Sequence, residues 1–191
     1  LDAGCGTGCI TRALEQAFPD ARILALDAAP AMLARARGRC RRSEFHTGNL
    51  DEPLPFADGA VDRIVCSNVL YSLPRPDFTL GEFQRVLRPG GKLVLATPIA
   101  QFRLWELVRH HLRGGPAAWG LFCLVLPSLL LVVLCNALIL SRARARVYHF
   151  FDRDELEGLL RGAGFQVERF GRTYADQDWL VVACSRSQPD R

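Results

Sequence analysis

The sequence predicts an α/β fold, a mostly parallel sheet with helices on both faces. Three observations predict it. Short apolar runs alternate with helical patterns along the chain, the arrangement that buries a parallel sheet between helices. The first run passes at once into a glycine-rich turn and a helix. At 191 residues the chain is long enough for one core of this kind.

The opening segment, Leu1 to Gly8, reads Leu-Asp-Ala-Gly-Cys-Gly-Thr-Gly and leads into a helical pattern from about Cys9. Gly4, Gly6 and Gly8 lack a Cβ, so the backbone can take positive φ and a ligand can come close, while the helix that follows offers unpaired N–H groups to an anion. The spacing is G-x-G-x-G with Asp2 two residues before the first glycine, not the G-x-G-x-x-G of a dinucleotide site. The run Ala21 to Leu26 ends in Asp27, where an acid at the end of a second strand can accept from ribose hydroxyls. A helix-starting acid ahead of Pro30 is the compatible plainer role. Three further segments follow: Phe45 to Asp62, Ile64 to Leu73, and Glu82 to Pro98 with an Arg88-Pro89-Gly90-Gly91 turn that stops a helix and returns the chain to the sheet. Phe150 to Phe170 reads as a capped amphipathic helix and a strand, and Trp179 to Ser185 as the closing strand.

Together these segments resemble the class I S-adenosylmethionine-dependent methyltransferases of the Methyltransf_11 type, which implies their Rossmann-like sheet, mostly parallel with an antiparallel last strand. The resemblance implies S-adenosyl-L-methionine as cofactor, with Asp2, Gly4, Gly6 and Gly8 at its methionine end, Asp27 at the ribose, and Asn49 and Leu50 at the adenine edge. It also implies Ser67 and Asn68, after the fourth strand, beside the methyl group. The chain departs from that pattern twice. Asn49 stands where the family usually has an aspartate; an amide oxygen still accepts a hydrogen bond but gives up the charge-assisted one, and Asp51 is the nearby substitute. Tyr71 and Ser72 stand where a histidine pair often follows the fourth strand. Tyr71 and His149 are the candidate catalytic bases, each to be weighed against a role in the wall of the substrate mouth.

The formal charge of +4 does not indicate a nucleic-acid partner. Lys92 is the only lysine, and the densest run, Arg35 to Arg42, falls at a helix C-terminus with no interleaved aromatics, so it reads as a solvated face. Seven cysteines without a C-x-x-C pair fit a reducing interior, hence a cytoplasmic chain. Four histidines show no metal-ligand spacing, and no metal is predicted.

Trp119 to Leu140 is an apolar run interrupted only by Gly120, Pro127, Ser128 and Asn136, long enough for a transmembrane helix and flanked by arginines on both sides. A single crossing would split one sheet across a bilayer, because the closing strands must join strands that precede the run. The segment is therefore expected to enter and leave on the same side, as an interfacial or re-entrant pair of helices on the cytoplasmic face, or as an apolar flap; a core helix or a homo-oligomer interface is the plainer alternative.

The division expected is 1–98 for the cofactor-binding part, 99–147 for the apolar insertion, 148–185 for the closing helix and strand pair of the same domain, and 186–191 for a tail. The missing initiator methionine leads to the expectation that part of the first strand and any preceding helices lie outside this sequence. The expected function is methyl transfer to a small hydrophobic acceptor, such as a quinone, lipid or polyketide-like ring, at or near a membrane. A non-catalytic cofactor-binding module and a membrane-anchored scaffold are the alternatives.

Overall fold

The computed structural model describes residues 1–99, 148–173 and 178–185. The apolar run Trp119 to Leu140, with its flanking arginines, and the tail 186–191 lie outside the described residues. Among the described residues no helix is long and apolar enough to cross a membrane.

Among the described residues seven strands form one sheet in the order β3-β2-β1-β4-β5-β7-β6. They are β1 (Asp2–Ala3), β2 (Leu24–Asp27), β3 (Glu44–Thr47), β4 (Val61–Ser67), β5 (Leu87–Pro98), β6 (Phe165–Thr173) and β7 (Asp178–Ser185). Pairing is parallel from β3 to β5, and β7 runs antiparallel between β5 and β6, as the sequence predicts. Chain order reverses direction at β1, which lies between β2 and β4. In open α/β sheets that reversal opens a crevice beyond the carboxyl ends of the strands.

Among the described residues four α-helices cover the sheet: α1 (Cys9–Ala17), α2 (Pro30–Arg39), α3 (Pro76–Val86) and α4 (Arg153–Gly162). Consecutive residues of a strand point to opposite faces, and β2 shows both faces filled. Ala25 packs with Cys5 and Leu33 of α2, while Leu26 joins the larger core that holds Leu80 and Phe83 of α3 and Leu156 and Leu160 of α4. The α4 start is fixed by a reciprocal capping box: Asp152 accepts from the Glu155 N–H at 2.8 Å and the Glu155 carboxylate accepts from the Asp152 N–H at 3.0 Å.

The buried side of α1 is polar, and each polar group has a purpose. Thr11 donates to Asp2 at 2.6 Å. Glu15 accepts from the backbone N–H groups of Arg42 and Ser43 and from the Ser43 hydroxyl, each at 2.8 Å, and from the Arg41 N–H at 3.3 Å. Burial pushes the Glu15 carboxyl up, but these hydrogen bonds outweigh it and hold the group below its ordinary value.

The Arg88-Pro89-Gly90-Gly91 segment follows the end of α3 at Val86, where the sequence reading places a helix stop and a return into the sheet. It lies inside β5 as an irregularity: Leu87 pairs with Val61, and the ladder resumes at Lys92 opposite Arg63. Gly90 takes φ of 72°, and a Cβ on Gly91 would sit 2.8 Å from the Arg88 carbonyl oxygen. The bulge re-aims β5 without leaving the sheet.

Candidate functional site

The glycine turn leaves the carboxyl end of β1 at the crevice, and its three glycines differ in what they serve. All have positive φ: 78° at Gly4, 52° at Gly6 and 78° at Gly8. A Cβ on Gly4 would press on Val69, with Cγ1 at 3.1 Å, and one on Gly8 would meet the Ala36 Cβ at 2.9 Å and the Cys40 Sγ at 3.2 Å. These two let the chain pack against itself. A Cβ on Gly6 would meet nothing within 4 Å, so that face of the turn is open to a ligand.

Asp27, the last residue of β2, clamps the turn from the side. Its Oδ2 accepts from the Gly6 N–H at 2.7 Å and its Oδ1 from the Ala29 N–H at 2.9 Å. A carboxylate has about four lone-pair sites, so both oxygens retain capacity for further donors. Asp2 is almost fully buried. Burial raises its pKa, and the Thr11 hydroxyl opposes that rise by bonding the charged form. Cys5, inside the turn, has its thiol pushed up to about 12 by burial first and then by Asp2 and Asp27, so it stays a thiol and packs as a small apolar group.

Beyond β3 the chain is pinned to α3. Thr79 donates to the Leu50 carbonyl at 3.0 Å, the Leu54 N–H donates to Glu82 at 2.7 Å, and Arg85 donates to the carbonyls of Phe56 and Leu54 at 2.8 and 3.1 Å. Within this fixed loop Asn49 is exposed and Leu50 is buried in the core. The Asn49 Oδ1 accepts from the Asp51 N–H at 3.1 Å, closing an Asx turn, and its amide faces Glu52 at 3.4 Å. Asp51 is half-buried, and its Oδ1 is buried without a hydrogen-bond partner.

On the other flank, Ser67 is the last residue of β4, paired with Ala96, and Asn68 is the first beyond it. Asn68 has φ of 56°, the one non-glycine residue at positive φ among the described residues, and its N–H donates to the Ala96 carbonyl at 2.8 Å. Asparagine is among the residues best able to take this conformation. It directly follows the carboxyl end of β4, the strand beside β1.

The next turn of chain carries Tyr71. Its ring stacks on Phe150 at 5.7 Å and 12° and tilts against Tyr148 at 5.5 Å, and its carbonyl accepts from the His149 N–H at 2.6 Å. The two candidate bases are thus joined through backbone, not through their side chains. Burial, followed by Tyr148 and Asp178, raises the Tyr71 pKa, so the hydroxyl keeps its proton at neutral pH. The His149 ring stacks on Phe151 and lines a groove of about 1190 Å³ between α3 and α4, whose lining includes no residue of the glycine turn.

The structure therefore brings Asp2, the glycine turn, Asp27, Asn49, Ser67 and Asn68 to the carboxyl ends of four neighbouring strands. Sequence reasoning missed Thr11, Val69, Tyr148 and Phe150. Of these, only Thr11 left a local trace, as a hydroxyl in the first turn of the helix that follows the glycines. Among the described residues no group of acids, histidines and cysteines is placed to hold a metal.

A family model described as a methyltransferase domain matches residues 1–95. The malonyl-[acyl-carrier protein] O-methyltransferase of Hahella chejuensis is 36% identical over 118 residues, covering 60% of this chain and 42% of that protein. The chain spans well under two thirds of the length of the curated relatives it matches. The fold is shared with a SAM dependent methyltransferase from Aquifex aeolicus, at TM-score 0.65 and 18% identity, covering 96% of this chain and 80% of that one. An S-adenosylmethionine dependent methyltransferase from Mesorhizobium loti gives TM-score 0.66 and 18% identity, covering 96% and 88%.

Proposed function

The chain belongs to the class I S-adenosylmethionine-dependent methyltransferases, and on that premise we propose that it methylates a small hydrophobic acceptor at a membrane surface on the cytoplasmic face. The observation that carries this reading is the glycine turn: at the reversal of strand order, one glycine leaves an open face beside an acid with unused acceptor capacity. S-adenosyl-L-methionine is the family's cofactor, and these residues fit it. The open face of Gly6 admits the methionine end, flanked by Asp2, Gly4 and Gly8. Asp27 accepts from the ribose hydroxyls. The loop of Asn49 and Leu50 meets the adenine edge, and Ser67 and Asn68 border the methyl group. When bound, the cofactor supplies an electrophilic methyl carbon on a sulfonium.

The chain's own contribution is positioning and the exclusion of water. Tyr71, held protonated, serves as wall or hydrogen-bond donor and leaves the acceptor to arrive as its own nucleophile. The hydrophobic character of the acceptor is supported by the Tyr71, Tyr148 and Phe150 cluster beyond Asn68. The lipid surface is supported by the apolar run Trp119 to Leu140 between its arginines, each basic residue contributing about 1 kcal/mol near anionic lipid. The same run offers a homo-oligomer interface in the absence of lipid.

A second reading comes from the malonyl-[acyl-carrier protein] O-methyltransferases that the chain resembles: the acceptor is then the free carboxylate of an acyl thioester, already a nucleophile. Incubation with methyl-labelled cofactor, host lipid extract and malonyl-loaded carrier protein separates the two. Label in the organic phase supports the hydrophobic acceptor, label in the carrier-protein fraction supports the carboxylate, and cofactor binding without transfer to either supports a binding module.

A further inference from the structure

We infer that the groove between α3 and α4 holds the hydrocarbon tail of the acceptor, whose reacting head lies at Tyr71. The inference rests on the hydrophobic-acceptor reading above and narrows it to amphiphiles, a polar head joined to a flexible apolar chain. The groove opens where that head would sit. Tyr148 and Phe150 line it, and both pack against Tyr71, with ring centroids 5.5 and 5.7 Å away. This end lies at the carboxyl edge of the sheet, because α3 follows β4 and Phe151, just ahead of α4, bridges Ile99 just beyond β5. From Glu155 to Gly162 the groove then follows α4 for roughly 10 Å.

Polarity changes along that line. The two acids of the lining, Asp77 and Glu155, belong to the first turns of α3 and α4, at the carboxyl edge. Beyond them the lining is Gly81, Gly158, Leu159, Gly162 and Ala163, and among the described residues no polar side chain lines it there. Such a surface cannot fix the register of a peptide by side-chain hydrogen bonds, whereas each methylene of a hydrocarbon chain gains by leaving water against it. Leu159 and Ala163 make a firm floor, since each also packs against the main core. The three glycines are not explained by the fold. None takes positive φ, and a Cβ on any of them would meet nothing within 4 Å. Glycine in a helix weakens it relative to alanine. The space is thus left open where alanine would make both helices more stable.

Calorimetry of the full chain in the presence of S-adenosylhomocysteine, titrated with phenol, para-hexylphenol and para-octylphenol, tests this. Wild-type affinity should rise by about tenfold or more from phenol to the octyl compound. Gly158→Leu fills the groove and should remove most of that rise, with S-adenosylhomocysteine affinity unchanged. Gly158→Ala should cut the rise severalfold while raising the melting temperature, a pair of effects that a glycine needed for packing would not give. It also carries the test if the leucine variant does not fold. A rise that is absent in the wild type, or retained in both variants, overturns the assignment. So does a dimer in sedimentation that Gly158→Leu breaks without any dependence on chain length, which gives the groove to a second copy. A chain-length rise that Gly158→Leu removes, in a protein that does not bind S-adenosylhomocysteine, supports the groove and refutes the cofactor reading alone.

Discussion

Two substitutions in one turn should have opposite consequences, because Gly4 and Gly6 need glycine for different reasons. At Gly4 an added Cβ takes a left-handed backbone, costing about 1–2 kcal/mol, and also presses on Val69 in a packed region, costing a further ~1–3 kcal/mol. Gly4→Ala should therefore lose about 2–5 kcal/mol, a large part of the ~5–15 kcal/mol that holds a domain together. At Gly6 the conformational cost is the same kind, about 1–2 kcal/mol, but the new methyl group meets nothing within 4 Å. Gly6→Ala should keep most of its stability and lose at least tenfold in affinity, about 1.4 kcal/mol, because the methyl group occupies the face left open. Urea unfolding gives the first quantity and calorimetry with S-adenosylhomocysteine the second. Wild-type affinity in Gly6→Ala would refute the turn as the cofactor cradle, and wild-type stability in Gly4→Ala would refute the packing argument.

Asp27→Ala removes the clamp on the Gly6 N–H together with the proposed acceptor for the ribose, and calorimetry should show cofactor affinity weaker by about 1–3 kcal/mol. Thr11→Val leaves the buried Asp2 carboxylate without its hydroxyl donor and should cost about 1.5–3 kcal/mol in urea unfolding at neutral pH. Glu15→Gln should lose about 1–2 kcal/mol at pH 7, since the ionised group accepts four hydrogen bonds. Because the folded-state pKa of Glu15 lies below 4.5, its contribution is complete above that pH and disappears as pH falls through the folded value. Thermal melts of wild type and variant should accordingly converge in acid, and a constant gap down to pH 3 would contradict the assignment.

The sheet was legible because alternating apolar strands and helical patterns repeat over short windows, and the closing strands were legible for the same reason. The glycine turn was legible because positive φ favours glycine, and all three of its glycines take positive φ. The distinction among the glycines was not, since it depends on whether Val69, Ala36 or open space faces each one. Nor was the polar face of α1 legible. Glu15 reads as a solvated helix acid in sequence, yet it gathers three N–H groups from the chain that follows α2. Asn49 and Asp51 are close in sequence with similar chemistry, and only the loop's hydrogen bonds show that the first closes an Asx turn and the second has a buried oxygen without a partner.

By itself the sequence determined the fold class and the place of the glycine turn, because each follows from local backbone rules and spacing, while the cofactor came from the resemblance of its motifs to the methyltransferase family. Tertiary structure decided which glycine is left with open space beside it, which donors Asp2 and Asp27 meet, and that burial raises the Tyr71 pKa. Those depend on burial and on partners brought together from different strands and helices, quantities that no local window of sequence contains.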